Sequence, residues 1–103
     1  MASTLKVIFI GNESPYLDIL TKFTNLTLIV CKPIRGNGRN YFGSAHQFAR
    51  ENQIPVSSPE TFMDHRVPAD IIVVSGYPKR IPRRIIKSAR IAAINIHQSL
   101  LPA

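Results

Sequence analysis

Three stretches of the chain are apolar at nearly every position: Leu5-Lys6-Val7-Ile8-Phe9-Ile10-Gly11, Leu26-Thr27-Leu28-Ile29-Val30-Cys31 and Ala69-Asp70-Ile71-Ile72-Val73-Val74-Ser75-Gly76. They are of strand length and lack the polar alternation of a half-solvated strand. Both faces are therefore expected to be covered, as in a parallel sheet packed between helices. The segments between them read as helices. After Gly11-Asn12-Glu13-Ser14-Pro15, Ser14 suits a cap and Pro15 a first helical position, and Tyr16, Leu17, Leu20 and Phe23 recur at helical spacing. Residues 41–52 place Phe42, Ala45, Phe48 and Ala49 on one face, with His46, Arg50 and Glu51 outside. Ile54-Pro55-Val56 is a very short strand, and Ser58 or Pro59 opens a helical turn through Phe62 and Met63. Residues 82–90 read as a basic amphipathic helix. Its buried stripe is Ile81, Ile85 and Ala89, and Arg83, Arg84, Lys87 and Arg90 lie opposite. Strand–helix alternation of this kind predicts an α/β fold: Rossmann-like, mainly parallel, with helices on both faces.

The chain then returns to a strand, opened by Ile91 and followed by Ala92-Ala93-Ile94-Asn95-Ile96-His97-Gln98-Ser99-Leu100-Leu101-Pro102. Residues two apart on a strand share a face. Ile94 and Ile96 are expected in a core, with Asn95 and His97 together on the other side. An amide donor and an imidazole at the carboxyl end of a strand suit a carbonyl reaction: the amide hydrogen-bonds a developing oxyanion and the imidazole moves a proton. Open α/β sheets place their ligand crevice at that end. The bland alternative is a core strand whose Asn and His are satisfied by internal hydrogen bonds.

The string Asn95-Ile96-His97-Gln98-Ser99-Leu100-Leu101-Pro102 closely resembles the N-x-H-x-S-L-L-P motif of the folate-dependent formyltransferases. That family includes glycinamide ribonucleotide, methionyl-tRNA and sugar-amine formyltransferases. The resemblance implies transfer of a formyl group from 10-formyltetrahydrofolate, as co-substrate, to an amine acceptor, with no metal. By the same resemblance Asn95 and His97 are catalytic, and Ser99, Leu100, Leu101 and Pro102 shape the folate cleft. The backbone after Gly76 lies against the pterin in that family, so Pro78, Lys79, Arg80 and Ile81 are implied as part of a pterin slot. Gly11-Asn12-Glu13-Ser14 looks like the G-N-G-S loop that holds a phosphate in the glycinamide ribonucleotide branch, which assigns Gly11, Asn12 and Ser14 to the acceptor; a plain helix-start turn of a Rossmann-like unit explains it at least as well. Glu13 stands where a Gly is expected, and its charge counts against a ribonucleotide acceptor. Arg35-Gly36-Asn37-Gly38-Arg39 resembles the basic loop of the methionyl-tRNA branch, and a plain solvated loop explains it equally well.

The resemblance spans the whole chain but only about the first half of the family's catalytic domain. An Asp that the family uses downstream has no counterpart here. Residues 1–103 are thus expected to be the N-terminal part of such a domain, a fragment or truncated form inactive alone. A truncated edge at the last strand predicts a homo-oligomer.

Charge adds an alternative. Residues 1–70 carry seven Lys/Arg and six Asp/Glu, whereas residues 71–103 carry six Lys/Arg and no acid. This fits a noncatalytic basic module that binds RNA or a partner chain. No apolar run approaches the roughly 20 residues of a membrane helix, and residues 1–10 show no cleavage-site pattern, so no signal peptide is expected. The single Cys31, which follows the apolar Ile29 and Val30, is expected to be a buried, inert thiol and fits a reducing cytoplasm.

Overall fold

A computed structural model describes residues 5–12, 16–32, 45–65, 67–77 and 80–96. Nine elements follow one another among them: β1 (Lys6–Ile10), α1 (Leu17–Phe23), β2 (Asn25–Val30), α2 (Ala45–Asn52), β3 (Val56–Ser57), α3 (Pro59–Asp64), β4 (Ala69–Ser75), α4 (Arg83–Ile86) and β5 (Ala89–Ile96). The five strands form one parallel sheet in the order β3-β2-β1-β4-β5. The chain steps outward from β1 to β3, then crosses back to β4 and β5. This is the doubly wound α/β arrangement expected from the sequence.

The continuous apolarity of β1 follows from its position. Ile8 and Ile10 belong to one buried cluster with Ile72, Val74, Phe62 of α3 and Ile85 of α4. Val7 and Phe9 belong to a second, with Val73, Leu17 of α1 and Ala45 and Ala49 of α2. One alternation breaks: Leu26 lies in the second cluster and Leu28 in the first, although they are two residues apart. The register shifts between Val7 and Ile8, where Leu26 and Leu28 face successive residues of β1, so Thr27 is an extra residue in β2.

Several elements differ from the expectation. The helix expected over residues 82–90 is only Arg83–Ile86, because β5 already starts at Ala89 and pairs it with Ala69. Helix α1 begins at Leu17, and its last residue Phe23 is exposed. The short strand is Val56–Ser57, and α3 takes its N-cap from Ser58, whose hydroxyl accepts from the Thr61 N–H. His46, expected on the surface, is half-buried. Ile94 was expected in the core and is 46% exposed. β5 is the edge strand, and α1 and α2 cover the β1–β2 side of its face rather than β5 itself. Ile96, by contrast, packs against the second cluster.

Two contacts tie the strands together at their ends. At the amino ends, the Asp70 carboxylate accepts from the Lys6 backbone N–H at 2.9 Å and from Arg90 Nε at 2.6 Å, linking β1, β4 and β5. At the carboxyl ends, Gly11 lies so close to β4 that a Cβ there would stand 1.9 Å from the Ser75 carbonyl oxygen. A side chain at position 11 must push β1 and β4 apart. Gly11→Ala is expected to cost about 3 kcal/mol, the upper part of the range for overpacked sites, measured by urea unfolding. Full stability of the variant would contradict the close approach. The Lys6 N–H, and then Arg90, hold the Asp70 carboxyl below its ordinary value. Its contribution is present above the unfolded pKa of roughly 3.9 and is lost as pH falls through the lower folded value. Asp70→Asn should flatten that part of the acid limb of a stability–pH curve; an unchanged limb would show that the clip contributes nothing.

Candidate functional site

Asn95 is held by the pairing of β5 with β4, in which Val74 faces Asn95 and Ser75 faces Ile96. Its side chain shares a face with Ala93, away from Ile96. It is exposed and its amide has no hydrogen-bond partner among the described residues. The amide is thus free to meet a ligand.

A cleft of about 420 Å³ opens beside it. One wall is β5, through Ala93, Ile94 and Asn95; the floor is Val74 of β4; the other wall is Tyr77, Arg80, Ile81 and Ile86. Gly76 makes the exit from β4 possible. Its φ of 69° is in the left-handed region, where a side chain is strained, and it turns the chain so that Tyr77 and Ile81 pack against the first core. Burial, and then the Glu60 carboxylate, push the Tyr77 phenol above its ordinary value. At neutral pH it is a protonated donor. The cleft combines apolar walls with one free amide, one phenol and one guanidinium, a composition suited to a small polar-edged ligand.

Of the residues that the sequence singled out, the structure brings Asn95, Arg80 and Ile81 together in this cleft. Arg80 is exposed at its rim and Ile81 is buried in its wall. Gly11 and Asn12 lie at the same end of the sheet, but they follow β1, two strands from β5, and are not part of the cleft lining. Asn12 is engaged in the fold. Its Oδ1 accepts from the Lys32 N–H at 2.9 Å and its carbonyl from the Ala45 N–H at 3.0 Å, joining the ends of β1 and β2 to the start of α2. His97, Ser99, Leu100, Leu101, Pro102, Pro78, Lys79 and Ser14 lie outside the described residues. Tyr77, Ile86 and Ala93 were not among the expected site residues. The aromatic that directly follows the strand-exit Gly76 was the available signal for Tyr77.

Cys31 is buried, and burial pushes its thiol up to about 11, away from a nucleophile. Among the described residues no three His, Cys, Asp or Glu side chains are grouped as metal ligands, and no helix is long and apolar enough to cross a membrane.

The family model of formyl transferases matches residues 39–103. Methionyl-tRNA formyltransferase of Rickettsia typhi is 33% identical over 111 residues, covering 95% of this chain and 37% of the relative. The enzymes of the same name from Fusobacterium nucleatum subsp. nucleatum and Natranaerobius thermophilus are 30% and 34% identical, each with 95% of this chain and 36% of the relative covered. The chain thus spans little more than a third of the length of the curated relatives it matches. The matched segment includes β4, α4 and β5, the elements from which the cleft is built, and by that match the chain belongs to the formyltransferase family.

Proposed function

We propose that the chain is the N-terminal part of a catalytic domain that transfers a formyl group from 10-formyltetrahydrofolate to an amine, and that it is inactive alone. The observation that carries this reading is the unpartnered Asn95 amide facing a cleft walled by Arg80 and Ile81. The pterin lies in that cleft, against the segment from Pro78 to Ile81, with the formyl group towards Asn95. The amine attacks the formyl carbonyl, and a tetrahedral intermediate forms. Asn95 donates to its oxyanion, and His97 donates to it or takes the proton from the attacking nitrogen. Collapse expels the folate nitrogen, which regains a proton. Ser99, Leu100, Leu101 and Pro102 complete the folate wall. Gly11, Asn12 and Ser14 border the acceptor side, where Glu13 disfavours a phosphate. The names of the relatives support methionyl-tRNA as the acceptor, and the site of action is the cytoplasm.

The free edge of β5 is the second element of the proposal. Its outer backbone groups have no strand partner among the described residues, and Ile91 and Ile94 stand exposed beside them. Such an edge pairs readily with another strand. The isolated chain is expected to self-associate through it. Sedimentation across a tenfold dilution should show concentration-dependent oligomers; a well-behaved monomer throughout would contradict this.

The catalytic proposal is tested in a chimera in which this chain replaces the matched segment of the Rickettsia typhi enzyme. Formylation of methionyl-tRNA dependent on 10-formyltetrahydrofolate is expected from the chimera and not from the 103-residue chain. Asn95→Ala and His97→Ala should each lower the rate of the chimera by about 10²–10³-fold with little effect on folding. A folded chimera that these substitutions leave unaffected, or turnover by the isolated chain, would overturn the proposal.

A further inference from the structure

We propose that the face of the molecule carrying α4 is a docking surface for the phosphate backbone of helical RNA. Arg80 lines the cleft at the carboxyl end of the sheet, Arg83, Arg84 and Lys87 continue along α4 and the turn after it, and Arg90 sits at the amino end of β5. All five are exposed. They therefore form a band that runs from one end of the sheet to the other. Arg90 is paired with Asp70; the other four have no carboxylate within ion-pair distance among the described residues. The α3 helix on this side of the sheet carries Glu60 and Asp64, so the five cations keep the face positive.

The chemistry of the band limits its partner. No aromatic residue occurs from Arg80 to Arg90, and Tyr77, in the cleft wall beside Arg80, is half-buried against the first core, so α4 and its flanks carry no platform on which single-stranded bases stack. What remains is charge contact to phosphates, which positions a nucleic acid without reading its sequence. A membrane surface fits poorly, because α4 has four residues and cannot lie in an interface as an amphipathic helix. The choice of RNA over DNA rests on the proposed acceptor, and the band extends that reading. Since Arg80 belongs to both, the cleft lies at one end of the track, and RNA seated on α4 places an attached amine near Asn95.

The test uses the 103-residue chain, an RNA hairpin, a DNA duplex of the same length and vesicles of phosphatidylcholine with phosphatidylserine. Affinity for the hairpin is measured between roughly 50 and 200 mM salt. The double variant Arg83→Gln, Arg84→Gln should bind about tenfold more weakly and reduce the slope of log K against log salt by about two. Arg50→Gln on α2, across the sheet, should bind as the parent does. Arg84→Gln with Lys87→Gln provides a second pair should the first fail to fold. Absence of hairpin binding, equal loss in the Arg50 variant, or tighter binding to DNA or vesicles than to RNA would overturn the proposal. Because no folate or formyl transfer enters the assay, its failure is separate from failure of the catalytic reading.

Discussion

Everything at the candidate site depends on the parallel ladder between β4 and β5. That ladder sets Asn95 opposite Val74 and Ile96 opposite Ser75, and a slip of one residue would turn the amide from the cleft into the face that holds Ile96. The ladder is tied across at its amino end, and β4 is anchored to β1 at its carboxyl end. At the amino end Asp70 holds Arg90 and the backbone of Lys6. At the carboxyl end Gly11 packs against the Ser75 carbonyl so closely that no side chain fits between β1 and β4. The carboxyl ends of β1 and β4 mark the switch point of the sheet, where doubly wound folds collect their ligands. The cleft is offset from that point by one strand, towards the edge.

That offset explains the exposure of the last strand. Among the described residues β5 is paired on one side only, and the second core, with α1 and α2, is centred on β1 and β2. Ile94 therefore stands half in solvent while Ile96, near the carboxyl end of the strand, still reaches the core. An apolar side chain exposed on an unpaired edge favours further pairing or covering. The relatives are almost three times as long as the segment they share with this chain.

Much of this was legible in the sequence. The buried runs gave the central strands to within a residue, because a strand covered on both faces must be apolar throughout. The alternation put Asn95 on the face opposite Ile96, as observed, but Ile94, which it placed in the core, is exposed. What periodicity missed depends on neighbours. Nothing in residues 82–90 says that the helix stops at Ile86; pairing of Ala89 with Ala69 decides it. Burial of Ile94 could not be judged without knowing that β5 is an edge. The tight contact of Gly11 with Ser75 joins residues 64 positions apart. Tyr77 entered the cleft through the left-handed turn at Gly76, a geometry that the sequence permits without requiring.

The central claim is that the cleft beside Asn95 receives the pterin of the folate, and amide chemical shifts of the chain during titration with 5-formyltetrahydrofolate test it most directly. The account predicts saturable shifts concentrated at Tyr77, Arg80, Ile81, Ala93 and Asn95, with α1 and α2 unmoved. Shifts confined to other elements, or none at millimolar ligand in the folded chain, would contradict it.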